Sequence, residues 1–179
     1  MIRLLLALTL FLTAFPALAI ECIRSATPVT PVMVLQRVDV GIDGIDDEQF
    51  REALRERLLT GGLYRVAYPD QYRHALSTGK IDRCTPTIGV DITISADRSD
   101  PGAAYGLGGF VTRFTFTAKA RVELLPDEVS VDSVVLQESA DSVVSSKKAK
   151  DALARLIETL IKELESNRDA WTRSDTPGF

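Results

Sequence analysis

The stretch "TIGVDITISAD", Thr87 to Asp97, alternates residue by residue: Ile88, Val90, Ile92, Ile94 and Ala96 share one parity, and Gly89, Asp91, Thr93, Ser95 and Asp97 the other. Successive side chains of a strand point to opposite faces, so this pattern puts one face on a core and the other in water. "FVTRFTFTAKARVELL", Phe110 to Leu125, repeats it, with Phe114, Phe116, Ala118, Ala120, Val122 and Leu124 opposed by Arg113, Thr115, Thr117, Lys119, Arg121 and Glu123. Two long alternating runs of this kind predict an antiparallel pair with a dry and a wet side.

Outward from that pair, "LPDE" turns the chain at Pro126 and Asp127, and "VSVDSVVLQESA" returns as a further strand. The apolar parity slips between Val131 and Val134, which predicts a bulge near Asp132. Upstream, "PVMVLQRVDV", Pro31 to Val40, reads as a first strand. Asp46 with Gln49 three positions on marks a helix start, Phe50, Leu54 and Leu58 form its apolar stripe, and Gly61 and Gly62 stop it. "LYRVAY" is a short strand ended by Pro69, and "PDQYRHALSTGK" adds one or two helical turns.

The last element is a helix capped at Ser145 or Ser146. Ala149, Ala152, Leu153, Leu156, Ile157, Leu160, Ile161 and Leu164 form its apolar stripe. After Asn167 the periodicity stops, so residues 167–179 read as a loose tail. The dry sheet face needs a cover, and the two amphipathic helices supply it. The expected fold class is α+β, a two-layer sandwich: a mostly antiparallel sheet of about five strands covered on one face by two helices, in the order β-α-β-(α)-β-β-β-α. Residues 31–166 form its single domain.

The first 19 residues, with Arg3, an apolar run from Leu4 to Phe15, and Ala17 and Ala19 around Leu18, read as a secretory signal peptide. Cleavage after Ala19 starts the mature chain at Ile20. Lipidation of Cys22 competes with this, but Glu21 fills the place before the cysteine that takes a small residue, so a soluble exported protein is favoured and membrane anchoring is not expected. Residues 20–30 form an N-terminal arm. In an oxidising compartment the two cysteines, Cys22 and Cys84, are expected to pair. Such a bridge closes a loop of about 60 residues, which chain entropy values at about 4 kcal/mol.

The 21 Lys and Arg stand against 25 Asp and Glu, a net charge of −4. This acidic balance argues against nucleic acid as a partner. The glycine-rich "YGLGGF" precedes a strand where a phosphate cradle needs a helix, so a connecting loop is the favoured reading. His74, the only histidine, lacks a nucleophile motif beside it. Asp97 and Asp100 read as turn chemistry, because the further acidic ligands of a calcium loop are missing. No catalytic residue, metal or cofactor is assigned.

Two surfaces stand out as candidates. One is the polar face of the second long strand, Arg113, Thr115, Thr117, Lys119 and Arg121, a basic stripe that suits an acidic partner or is neutralised across strands by Asp91 and Glu123. The other is the connection from Ser99 to Gly109 with Tyr105, Gly106, Leu107, Gly108 and Gly109, long for a hairpin and a place where binding residues tend to sit.

The order of elements, with "FREALRERLLTGGLYRVA" leading into a strand and "SSKKAKDALARLIETLIKELE" closing the domain, resembles small periplasmic domains of envelope-assembly proteins. These are the curli-secretion channel lipoprotein, the lipoprotein activators of peptidoglycan synthases, the lipopolysaccharide-assembly lipoprotein and auxiliary lipoproteins of lipid transporters. The resemblance lies in order and periodicity from Pro31 to Leu164, and it carries no functional residue across. It implies a non-catalytic periplasmic accessory protein with a protein partner in the cell envelope. The alternative is a carrier holding an apolar or lipid-like ligand between helices and sheet, which needs an unfilled cavity of about 300 Å³ or more.

Overall fold

The computed structural model describes residues 29–100, 103, 112–142 and 146–172. Its elements in chain order are β1 (Val32–Gly41), α1 (Asp47–Gly61), β2 (Arg65–Ala67), α2 (Pro69–Ser77), β3 (Thr87–Ser99), β4 (Thr112–Leu124), β5 (Val129–Ser142), α3 (Ser146–Ser166) and α4 (Arg168–Thr172). The strands form one five-stranded sheet in the order β2-β1-β3-β4-β5. The two long ladders, β3 with β4 and β4 with β5, are antiparallel as their alternation implies. The β1 ladders with β2 and β3 are parallel, so the sheet is mixed.

Local signals end α1 where the sequence places its limits. The Asp46 carboxylate accepts from the Gln49 N–H at 2.9 Å, satisfying a donor the helix itself leaves open. Gly62 sits at φ 71°, a left-handed conformation that a side chain would strain, and its N–H reaches the Leu59 carbonyl at 3.1 Å. On α3 the stripe from Ala152 to Leu164 faces the sheet, with Leu156, Leu160 and Leu164 fully buried.

The main core lies between one sheet face and α1 and α3. Ile88, Val90, Ile92 and Ile94 of β3 line its floor beside Met33, Leu35, Val38 and Val40 of β1 and Phe116, Ala118, Ala120 and Val122 of β4. The β1 residues keep this face only because the register shifts between Leu35 and Arg37, leaving Gln36 as an extra residue. On β5 the register shift opposite Val122 and Glu123 makes Val131 the extra residue, beside the expected Asp132.

The structure corrects two expectations. The sheet is not covered by helices on one face alone. Val32 and Val34 of β1 point to the other face and pack with Tyr72 of α2 and Ile81. From β1 the chain crosses over α1 to β2 on one side, then back over α2 to β3 on the other. Parallel crossovers of one hand that travel in opposite directions must use opposite faces, which puts α2 behind the sheet.

The segment after Asn167 is likewise no loose tail as far as Thr172. Arg168–Thr172 is α4, and Trp171 is 3% exposed, its indole N–H donating to the Asp132 carboxylate at 2.9 Å. The same carboxylate accepts from the Ser133 N–H at 2.7 Å, so the β5 bulge and the last helix hold each other.

Two outcomes follow from this geometry. Trp171→Phe removes the donor to Asp132 together with part of the buried indole, and should lower unfolding stability by about 1–4 kcal/mol in urea denaturation. Deleting Gln36 removes the bulge without changing which residues face the core. The shortened chain should fold with a stability loss below about 2 kcal/mol, whereas deleting Asp39, which turns Val40 outward, should prevent cooperative unfolding.

Candidate functional site

The basic stripe on β4 is less continuous than its sequence suggests. Arg113, Lys119 and Arg121 are exposed, but Thr117 is only 7% exposed beneath Gln137, whose side-chain amide donates to the Thr117 hydroxyl at 3.3 Å. Thr115 is half-buried and lies 3.3 Å from the Ser139 hydroxyl. Polar side chains of β5 therefore cover the two threonines of the stripe, while its three cations stay exposed.

Cross-strand neutralisation also differs from expectation. Asp91 lies in register with Arg121, and Lys119 stands between Thr93 and Val135. Glu123 pairs within its own strand, with Arg121 at 2.6 Å. Its side chain is 10% exposed against 60% for Arg121, so the arginine is what keeps a nearly buried carboxylate compensated.

The loop residues Tyr105, Gly106, Leu107, Gly108 and Gly109 lie outside the described residues. So does Phe110, and so does Cys22. Cys84 is half-buried in the connection before β3, its N–H bonded to the Asp82 carboxylate at 3.0 Å. The parallel β1 and β3 begin side by side, with the Val32 N–H on the Pro86 carbonyl at 2.9 Å. Residues 29–31 and the Cys84 connection thus meet the sheet at the same end. His74 is exposed on the last turns of α2, and Asp97 belongs to β3 opposite Thr115.

One polar cluster had no sequence signal. Tyr68, just before α2, donates its hydroxyl to Glu52 of α1, while the Arg51 and Arg55 guanidinium groups lie 4.6 and 5.5 Å from the centre of its ring. The tyrosine hydroxyl and the Arg55 guanidinium hold the Glu52 carboxyl below its ordinary range, and burial with the Glu52 bond pushes the Tyr68 phenol up. The phenol is thus a neutral donor that clamps the start of α2 to α1 through cation–π and charge-assisted contacts. It presents neither a nucleophile nor a base.

Among the described residues there is no group of three or more His, Cys, Asp or Glu able to hold a metal, and no helix long and apolar enough to cross a membrane. A recess of about 370 Å³ is lined by Val29, Thr30, Pro31, Arg168, Asp169 and Thr172. It opens at the sheet end between the entry to β1 and α4, away from the space between helices and sheet.

No family model matches the chain, and no curated protein sequence matches it. It is similar to solved structures of a lipoprotein from Neisseria meningitidis, at 12% identity and a TM-score of 0.44 over 77% of this chain and 99% of that one. A neuraminyllactose-binding hemagglutinin homolog from Helicobacter pylori matches at 9% and 0.45, over 82% and 90%. The rare lipoprotein B from Shewanella oneidensis matches at 14% and 0.37, over 76% and 88%. Likenesses at this level assign no function, partner or location to this chain.

Two of the three exposed β4 cations, Lys119 and Arg121, should separate on reversal. Lys119→Glu should change stability by less than about 0.5 kcal/mol, because it is solvated. Arg121→Glu strips Glu123 of its partner and adds a like charge, and should cost on the order of 1–3 kcal/mol; thermal denaturation of the two variants checks the difference.

Proposed function

We propose that this protein is a non-catalytic accessory protein of the cell envelope that works through contacts with a protein partner. The observation that carries this reading is the filled interior. Met33, Leu35, Ile88, Ile92, Ile94, Leu156 and Leu160, from both sides of the space between helices and sheet, are all buried to 0% exposure in one continuous cluster. A carrier of an apolar ligand would need that space. The chemistry available to the chain then lies on its surface. The signal-like leader and the resemblance in element order support placement in the envelope.

Reversible crosslinking of the native full-length protein in its own cells, followed by mass analysis of both captured proteins and extracted lipids, tests the proposal. The expected result is a reproducible protein adduct with no stoichiometric lipid. A lipid co-purifying one to one would establish the carrier reading instead.

The pairing of Cys22 with Cys84 belongs to the same proposal, supported by residues 29–31 and the Cys84 connection meeting the sheet at one end. Thiol titration of the denatured, unreduced mature protein should find no free thiol, and reduction should lower stability by about 4 kcal/mol. Two titratable thiols would overturn it.

A further inference from the structure

β5 closes the sheet on one side with 14 residues, whereas the opposite edge is β2 with three. Among the described residues no strand pairs with the outer side of β5. Its unpaired backbone groups therefore form a long template for another strand. Of the five large apolar residues that stand exposed among the described residues, Val129, Val131 and Val135 are on this strand, and Val135 at 57% is the most open of them.

The charges around the edge say which strand would fit. β5's own inward carboxylates are engaged: Asp132 accepts from Trp171, and Glu138 meets Arg155 of α3 at 3.6 Å. That ion pair, together with the Arg57–Glu158 pair at 3.1 Å one turn further on the neighbouring line of the helix, fixes how α3 is rotated. Residues seven apart lie on nearly the same line of a helix, so Lys148 and Lys162 share the Arg155 flank, above the β5 edge. All three are exposed; Asp151 and Glu158 are the acids beside them, and Glu158 is engaged by Arg57. Below the edge, on the other sheet face, exposed Lys119 stands beside Val135. The edge is thus rimmed by cations on both faces of the sheet.

We propose that β5 takes up an extended, acidic segment of a partner protein as a sixth strand. Main-chain hydrogen bonds along β5 supply the pairing, Lys148 and Lys162 read carboxylates on one face of the incoming segment, and Lys119 reads those on the other. A second copy of this chain fits poorly, because two-fold pairing of β5 with itself brings like-charged α3 flanks together. Glu138 on the inward face also disfavours an indiscriminate apolar strand. The proposal rests on the interaction reading above and names its surface and the chemistry of the partner.

The test uses the mature, isotope-labelled protein and a capped nine-residue peptide with Glu at both odd and even positions among Thr and Val. Controls are the same peptide with Lys for Glu, and the Glu peptide with alternate amides N-methylated. The expected result is binding of the Glu peptide that shifts and protects β5 amides, weakens as salt rises, and falls at least tenfold in the double variant Lys148→Glu, Lys162→Glu, whose fold is checked by the unchanged remaining spectrum. Equal binding of the Lys peptide overturns the charge argument, and equal binding of the methylated one overturns strand addition. Absence of binding at millimolar peptide, or a dimer whose β5 amides are already protected, overturns the edge site. A protein adduct captured in cells alongside any of those results leaves the interaction reading standing and removes only this surface.

Discussion

Everything else in the molecule is arranged around the burial of the inner side of β3. Ile88, Val90, Ile92 and Ile94 are fully buried, and each such side chain removed from water contributes about 1.5–3 kcal/mol. β3 occupies the centre of the sheet because both neighbours must shield its backbone and extend its apolar floor. The Gln36 bulge in β1 and the Val131 bulge in β5 correct the phase of strands whose sequences would otherwise turn valines and leucines away from that floor. α1 and α3 roof it, and Trp171 closes the end where the β5 bulge leaves Asp132 pointing inward.

That central demand leaves the two edges unequal. The β2 edge is short and bound into the parallel unit with α1 and α2 beside it, where the Tyr68 clamp ties the two helices together. The β5 edge is long and leaves Val129, Val131 and Val135 exposed, while Val134, Leu136 and Ala140 pack on the core. A sheet built by one strand folding back twice as long hairpins must end in a long edge, so the exposure of β5 follows from the same alternation that builds the core. The polar face of β4 is different. Thr117 and Glu123 are nearly covered, so the exposed charge there is that of Arg113, Lys119 and Arg121, and the β4 face reads as support for the edge.

The strand and helix inventory was legible in the sequence because each long element carries its own period. β3 and β4 alternate without interruption, α1 has its Asp46 cap and Gly62 stop, and α3 has an eight-residue stripe. Val32 to Leu35, four apolar residues in succession, also carried a signal of burial on both faces that a one-sided cover does not satisfy. The basic residues of β4 were visible as well, but the covering of the threonines between them was not, because Gln137 and Ser139 reach Thr117 and Thr115 from a strand 20 and 24 residues away.

The sequence by itself determined the fold class, the identity of the core face on β3, β4 and α3, and the phase slip beside Asp132, since each is a local consequence of side-chain period and backbone chirality. Tertiary structure alone decided the order of strands, and with it the opposite faces of α1 and α2, the exposure of β5 and the burial of Trp171. Those depend on which strands become neighbours, a choice made by loop closure and crossover handedness between segments far apart in the chain. A side chain such as Trp171, alone in a stretch without periodicity, shows no partner until a bulge 39 residues earlier turns Asp132 towards it.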